Sequence, residues 1–531
     1  MSNTQNSTDA IIIGGGHNGL VCAYYLASKG LKVSIFERRS IIGGAAVTEE
    51  FHPGFKNSVA SYTVSLLNPE IIKEMKLKEY GLKIVKRPIS NFLPIDDKTY
   101  LKLGGGLERT QEEFKKFSEK DAAKLPEYYD RIEAVADVLR DISIKTPPNP
   151  KQGIKAVLSA ALQLWPIATK GNQVHRDVYD LFTKSARSFL DSWFENEHIK
   201  AAFGFDSIVG NFASPDTPGS AYVLLHHVFG EIDGEKGVWG HAIGGMGAIT
   251  QAMEKACKNM GVKIFTDAPV NKVIVKDNAA VGIELEDGSS IVANKIISNL
   301  NPKLLYKKLI SEDELEPEFN RGMDGYKCGS GTFRMNVALA ELPDFSVLPG
   351  KEVGEHHQSG IVIAPTLDYM DKAYIDAKSQ GWSSAPIVEM LIPSTIDNTL
   401  APDGKHVASL FCQQFSPTMP DGSSWHDHRL AAADTIIETV TKHAPNFRES
   451  ILGMMILSPL DLEEKFGLIS GDIMHGQMSL DQMWAARPLM NFGDYRGPLK
   501  SLYMCGSGTH PGGGVTGLPG KNAAREILKD V

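Results

Sequence analysis

Residues 9–39 read DAIIIGGGHNGLVCAYYLASKGLKVSIFERR, and the interpretation of the whole chain starts from them. Ala10 to Ile13 is an apolar run suited to a buried parallel strand, and the turn after it carries G-x-G-x-x-G at Gly14, Gly16 and Gly19. Each glycine has a separate reason. Gly14 permits the tight turn, Gly16 lets backbone approach a pyrophosphate, and Gly19 lets the next helix pack closely on the strand. That helix runs from about Asn18 to Lys29 with Gly30 as its stop, and its N-terminus offers free N–H groups to a phosphate. Lys32 to Phe36 forms a second strand ending in Glu37, 18 residues past Gly19, where an acid meets a ribose hydroxyl. An acid there, rather than an arginine, favours FAD or NAD over NADP.

Past Glu37 and Arg38, a glycine pair at Gly43-Gly44 with Ala45 lies outside an NAD fingerprint and tips the cofactor to FAD. From 66 to 235 the pattern turns to helices and loops, including Thr110 to Lys120, Leu125 to Arg140 and a proline-rich break at 146–150. Ile154 to Thr169 is apolar but too short and too interrupted to span a bilayer; it suits a membrane interface, the lining of a greasy entrance, or a buried or lid helix. Nucleotide-domain character returns at 237–247. A helix follows, then strand-like runs at Val270 to Val275, Ala279 to Glu286 and Ser290 to Ala293, with an Asp287-Gly288 hairpin turn. Residues 303–465 alternate strand-like runs with helices, among them Leu430 to Lys442. Leu502 to Gly520 empties a last strand into glycines before a final helix, a second cradle for the same cofactor.

These segments imply an α/β chain with an α+β insertion. A Rossmann-type FAD-binding domain is assembled from 1–65, 236–302 and 466–531, and a substrate-binding or lid domain of mixed sheet and helices from 66–235 and 303–465. At 531 residues, with 42% hydrophobic and 22% charged content, two or three globular domains are expected. A net charge of −9 without basic runs argues against nucleic acid. Five scattered cysteines with no C-x-x-C exclude a redox dithiol, and the polar N-terminus shows no signal or transit pattern, so a cytoplasmic location is expected. His226-His227, His356-His357 and His426-Asp427-His428 lack metal-site spacing, so no metal is expected. No second strand-bound G-x-G-x-x-G exists for a nicotinamide.

GGGHNGL at 14–20, FHPGFKNSVASY at 51–62, WGHAIGGMGAITQAM at 239–253, SLDQMWAARP at 479–488 and LYMCGSGTHPGGGVTGLPGKNAA at 502–524 together resemble the phytoene desaturase and carotenoid isomerase class of flavoproteins, within the amine oxidase superfamily. The His17-Asn18 pair and the GSGTHPGGG ending look closest to the subgroup named for a pyridine nucleotide-disulfide oxidoreductase domain, protein 2, although this chain lacks the disulfide motif of that name. The resemblance implies FAD diphosphate contacts at Gly14, Gly16, Asn18 and Gly19, ribose at Glu37, and further contacts at Arg38, Gly44 and Ala45. It places Val270 by the adenine, Gly506 and Ser507 by the phosphate and ribityl chain, and Gly517 and Leu518 by the isoalloxazine. Catalytic candidates by motif position are Trp239, His241, His475, Trp484, Arg487 and His510, with Arg487 read as a partner for a phosphate or a polar substrate end. Gly512 to Gly517 departs from the usual G-x-G-I-P-G, so the resemblance fixes the cofactor better than the substrate.

The implied function is an FAD-dependent oxidoreductase for a lipophilic unsaturated substrate, as desaturase, saturase or isomerase. Electrons would pass to oxygen, a quinone or another protein. An amine oxidase releasing hydrogen peroxide and a flavin-bearing interaction protein without turnover are the alternatives. Peripheral membrane contact and homo-oligomerisation complete the expectations.

Overall fold

A computed structural model describes residues 8–531, apart from the side chains of His226 and His227; the N-terminal stretch up to residue 7, read above for targeting signals, lies outside the described residues. Thr8–Ile13 is the central strand of the first sheet. It pairs in parallel with Val33–Phe36 on one side and Ser290–Ser298 on the other, with Ile12 level with Ile35 and Ile297. Lys263–Phe265 extends the sheet beyond Val33–Phe36. The strand Ser290–Ser298 plays two parts: its first half pairs antiparallel with Ala279–Leu285, while Ile296 to Ser298 pair in parallel with Leu502–Met504. The ends of the chain are thus held two strands apart in one sheet.

Ala10, Ile11 and Ile12 are fully buried because helices cover the sheet. His17–Ala27, Gly247–Asn259 and Leu518–Leu528 share one core through Leu20, Val21, Ile249, Met253, Ala523 and Ile527. The last helix approaches the first closely: a methyl group on Gly520 would fall 2.2 Å from the Asn18 carbonyl oxygen.

A second sheet runs in the order Ile451–Leu457, Phe333–Leu339, His406–Phe415, Trp382–Leu391, Gly360–Ile363, Asn91–Pro94, Tyr100–Leu103. Helices Trp425–His443 and Leu367–Gln380 pack on it through Ile436, Val440, Met370 and Ala373. The hairpin at 91–103 falls where helices and loops were expected. It is a short pairing whose proline occupies the strand end, leaving little periodicity to read. Glu119–Ser143 is one 25-residue helix despite Pro126 inside it. Proline has no N–H for the Ala122 carbonyl, and the Gln111 side-chain amide donates there instead, at 2.9 Å.

Of the settings expected for the apolar stretch at 154–169, the buried helix is overturned. Ile154–Ala168 is helical, but only Ala156 and Gln163 are buried, while Ile154, Val157, Leu158, Leu162, Leu164 and Trp165 are exposed. No helix among the described residues is long and apolar enough to cross a membrane.

Candidate functional site

The glycine turn sits at the carboxyl end of the central strand. Gly14 adopts φ +93°, and its N–H donates to the Phe36 carbonyl at 2.8 Å, tying the turn to the neighbouring strand. A Cβ on Gly16 would lie 2.7 Å from Asn299 Nδ2, and one on Gly19 would lie 2.5 Å from the Gly14 carbonyl oxygen. Gly16 therefore keeps the cradle open, whereas Gly19 serves helix packing. Glu37 is buried; it accepts the Gly15 N–H at 2.8 Å and the Arg39 N–H at 3.0 Å. Asn18 Nδ2 donates to Ser507 Oγ at 3.2 Å, joining the first loop to the last.

These residues border a cavity of about 440 Å³. Gly14, Gly16, Asn18, Glu37, Arg38, Gly44, Ala45, Val270 and Ser507 all line it, as do Trp239 and His475. His17 Nε2, Asn18 Oδ1 and His475 Nδ1 are buried there without a hydrogen-bond partner. Orphaned polar atoms beside a cradle kept open by glycine fit a dinucleotide with a diphosphate and hydroxyl groups. Burial, reinforced by the nearby His475, lowers the His17 pKa to about 3, and burial together with the Arg487 charge lowers that of His475 to about 4. Both rings are neutral at pH 7 and present uncharged nitrogen to the cavity.

Other expected site residues lie elsewhere. Gly506 packs on the Asn299 backbone and Gly517 caps the final helix. Neither lines this cavity; Gly514 and Val515 do, a few residues upstream of Gly517 and Leu518. His241 is paired with the buried Asp397 at 3.0 Å. Burial pushes the Asp397 carboxyl up, but hydrogen bonds from His241, Thr399 and the Gly244 N–H outweigh it and hold the group well below the usual range. This pair clips the 240–244 segment to the 397–399 loop, away from the cavity.

Arg487, read as a partner for phosphate or substrate, spends its donors on backbone. It is fully buried and bonds the carbonyls of Met474 (2.7 Å), Ser507 (2.9 Å), Gly476 (3.2 Å) and Gln482 (3.3 Å). Loops with no mutual backbone pairing need such a fork, which five N–H donors supply.

Trp484 and His510 border a second cavity of about 600 Å³, with Leu518. Its walls are mainly apolar, including Leu139, Phe182, Tyr222, Met478 and Met483, and its border includes Leu164 and Ile167 of the exposed helix. Leu66, Val209 and Met474 line both cavities, so the two share a wall.

The sequence reading missed a polar group on the side of the first cavity that faces the second sheet. Tyr62, Thr63, Arg87, Glu389 and Phe411 line it there. The Tyr62 hydroxyl donates to Glu389, its ring stacks on Phe411 at 5.1 Å, and the Arg334 guanidinium lies 4.7 Å from the ring centre. Tyr62 falls in the motif at 51–62, but Arg87 had only a following proline to mark it. His426, Asp461 and Glu464 form the one grouping among the described residues with metal-ligand spacing. Arg429 already pairs with Asp461 at 2.7 Å there, and Asp461 also caps a helix.

The profile of the family "Flavin containing amine oxidoreductase" matches residues 19–332. Pyridine nucleotide-disulfide oxidoreductase domain-containing protein 2 of Rattus norvegicus is 39% identical, covering 98% of this chain and 94% of its own. A subunit of the limonene dehydrogenase of Castellaniella defragrans is 25% identical over 98% and 95% of the two chains, and the lycopene-forming phytoene desaturase of Pantoea ananas 24% over 98% and 99%. Among solved structures, putrescine oxidase bound to putrescine matches in fold, with a TM-score of 0.60 at 15% identity over 99% and 98% of the chains. With the glycine cradle, the buried acid and the joined chain ends, these matches establish that the chain belongs to the flavin-containing amine oxidoreductase family and that its cofactor is FAD.

Proposed function

We propose that the protein is an FAD-dependent oxidoreductase that desaturates, saturates or isomerises a long apolar, unsaturated molecule. The observation that carries this reading is the 600 Å³ cavity of mainly apolar walls abutting the cofactor cavity across Leu66, Val209 and Met474. Such a space favours hydrocarbon, at about 0.8 kcal/mol for each CH₂ withdrawn from water. The names of two relatives, limonene dehydrogenase and phytoene desaturase, lend it support, since both specify hydrocarbon chemistry for those proteins.

FAD, when bound, supplies a two-electron acceptor or donor. Gly14, Gly16, Asn18, Glu37, Gly44 and Ser507 would hold it. The chain's own part is then orientation and exclusion of water: Met474 and Val209 form the partition across which the substrate faces the cofactor, and His475 presents a neutral ring nitrogen beside it. The exposed helix Ile154–Ala168, bordering the apolar cavity, suits delivery of substrate from a lipid surface.

The test is anaerobic incubation of oxidised and of reduced protein with a total lipid extract, followed by mass spectrometry. A product two hydrogens lighter marks desaturation, two heavier saturation, and equal mass with shifted retention isomerisation. An unchanged extract, with flavin bleached by amines and peroxide formed in air, would replace this reading by amine oxidation. A flavin that nothing bleaches would leave an interaction protein.

A further inference from the structure

His510 borders the apolar cavity and is 6% exposed. Its Nε2 lies 3.2 Å from the carbonyl oxygen of Ile142, in the last turn of helix Glu119–Ser143, where carbonyls have acceptor capacity to spare. A carbonyl only accepts, so Nε2 carries the ring proton and Nδ1 carries a lone pair. Nδ1 has no hydrogen-bond partner among the described residues, yet protein does not seal it off, so it faces the cavity that the ring borders. Burial lowers the pKa of the ring to about 4 against the effect of the Ile142 bond, and the Arg487 and Arg525 charges add to the fall. At pH 7 the cavity therefore meets a neutral acceptor of fixed tautomer.

Trp484, on the same border, adds an indole N–H that is buried without a partner. Neighbouring polar side chains are engaged by protein. The Tyr222 hydroxyl donates to the Met478 carbonyl, Ser143 Oγ to the Arg140 carbonyl at 2.6 Å, and Arg140 Nη1 to Glu133 at 2.7 Å. Of the carboxylates on the border, Glu70 and Asp141 are exposed, and Glu231 also borders a neighbouring groove lined by Lys73, Lys76 and Lys78.

We infer that the substrate carries a hydroxyl group on its apolar body and that this hydroxyl donates to His510 Nδ1. This rests on reading the cavity as the seat of a long apolar molecule. A plain hydrocarbon filling the cavity would expel water and leave the His510 lone pair and the Trp484 N–H without partners, a cost that an oxygen-bearing substrate reduces. A carboxylate or an ether brings no proton to donate. An ammonium group would donate, but it would meet the Arg487 and Arg525 charges that already act on the ring. An amide would bury a second strong acceptor. His510 is a specificity-determining residue in this scheme. It orients the substrate and takes no part in the redox step.

FAD-loaded protein titrated by calorimetry with dodecan-1-ol, methyl dodecyl ether and dodecylamine tests this. The alcohol should bind at least roughly 10-fold tighter than the more apolar ether, equivalent to about 1.4 kcal/mol. The amine should bind weakest. His510→Gln keeps a donor for the Ile142 carbonyl but removes the acceptor, so it should abolish the preference for the alcohol. Trp484→Phe should weaken alcohol and ether alike, because both oxygens accept, and should leave the preference in place. Circular dichroism and the flavin spectrum report on folding, and the wild-type comparison stands even if a variant does not fold. An ether that binds as tightly as the alcohol in the wild type overturns the inference while leaving an apolar substrate in place. An amine that binds tightest, or an alcohol preference that survives in folded His510→Gln, overturns it as well. Binding of none of the three overturns both readings.

Discussion

Replacing Ile154, Leu158 and Leu162 together by serine should release the protein from lipid vesicles without unfolding it. These side chains are 77%, 59% and 74% exposed, so the folded protein gains little from them. A fully withdrawn aliphatic side chain is worth about 2 kcal/mol; scaled by these exposures, and halved where the helix reaches only the interface, the triple change removes roughly 2 to 4 kcal/mol of lipid affinity. That is a factor of about 30 to 1,000 in partitioning. Trp165, 64% exposed, stays in place as an interfacial anchor, and the exposed Lys155 and Lys170 flank the helix where anionic headgroups would lie. The assay is flotation of the full-length protein with vesicles of phosphatidylcholine and phosphatidylserine. Thermal unfolding is followed in parallel. Equal recovery of wild type and variant in the lipid fraction would refute the argument, and so would a wild type that stays at the bottom of the gradient. A large fall in the unfolding midpoint would mean that these side chains support the fold.

Glu37→Ala should weaken FAD binding by roughly 10- to 100-fold, the scale of a lost charged hydrogen bond to the ribose, as read by flavin fluorescence during titration of the apoprotein; unchanged affinity would remove Glu37 from the ribose site. Stability should fall on acidification from pH 6.5 toward 4. His475 and His510 are each held near pKa 4 and His17 near 3, chiefly by burial, so below 6.5 the unfolded chain binds protons that the fold refuses. A midpoint of chemical denaturation that stays flat between pH 7 and 4.5 would contradict this. NADH and NADPH should reduce the flavin only slowly under stopped flow, because the chain carries one strand-bound G-x-G-x-x-G and FAD occupies it; rapid stoichiometric bleaching would show a nicotinamide site.

The cofactor half of the site was readable because its constraints are local. Gly14, Gly16 and Glu37 stand at spacings fixed by one strand, one turn and one helix, and the structure puts each on the cavity wall. The substrate half was not readable, because long-range pairing builds it. Glu389 is a lone acid inside an apolar strand, and the Tyr62 hydroxyl that donates to it stands 327 residues away in sequence. The partner of His241, Asp397, stands 156 residues further on, so no local pattern announces that pair. Periodicity also left the 154–168 helix undecided, since an apolar face reads the same whether a core or a lipid surface covers it.

Arg487 shows how the two halves are joined. Its motif position suggested a ligand contact, yet its guanidinium binds the carbonyl of Ser507, which lines the cofactor cavity, and that of Met474, which lines both cavities. One buried fork therefore fixes the cofactor wall and the partition in a single geometry, and Gly476 and Gln482 tie the intervening loops to it. His475 lies between two of those anchors, with its carbonyl held by the Tyr326 hydroxyl at 2.8 Å. The Arg487 charge adds to burial in keeping that ring neutral. A positive charge committed to carbonyls cannot be drawn away by an incoming anion. The chain thus assigns this buried arginine to positioning, as expected where the cofactor seat must stay fixed while the substrate comes and goes.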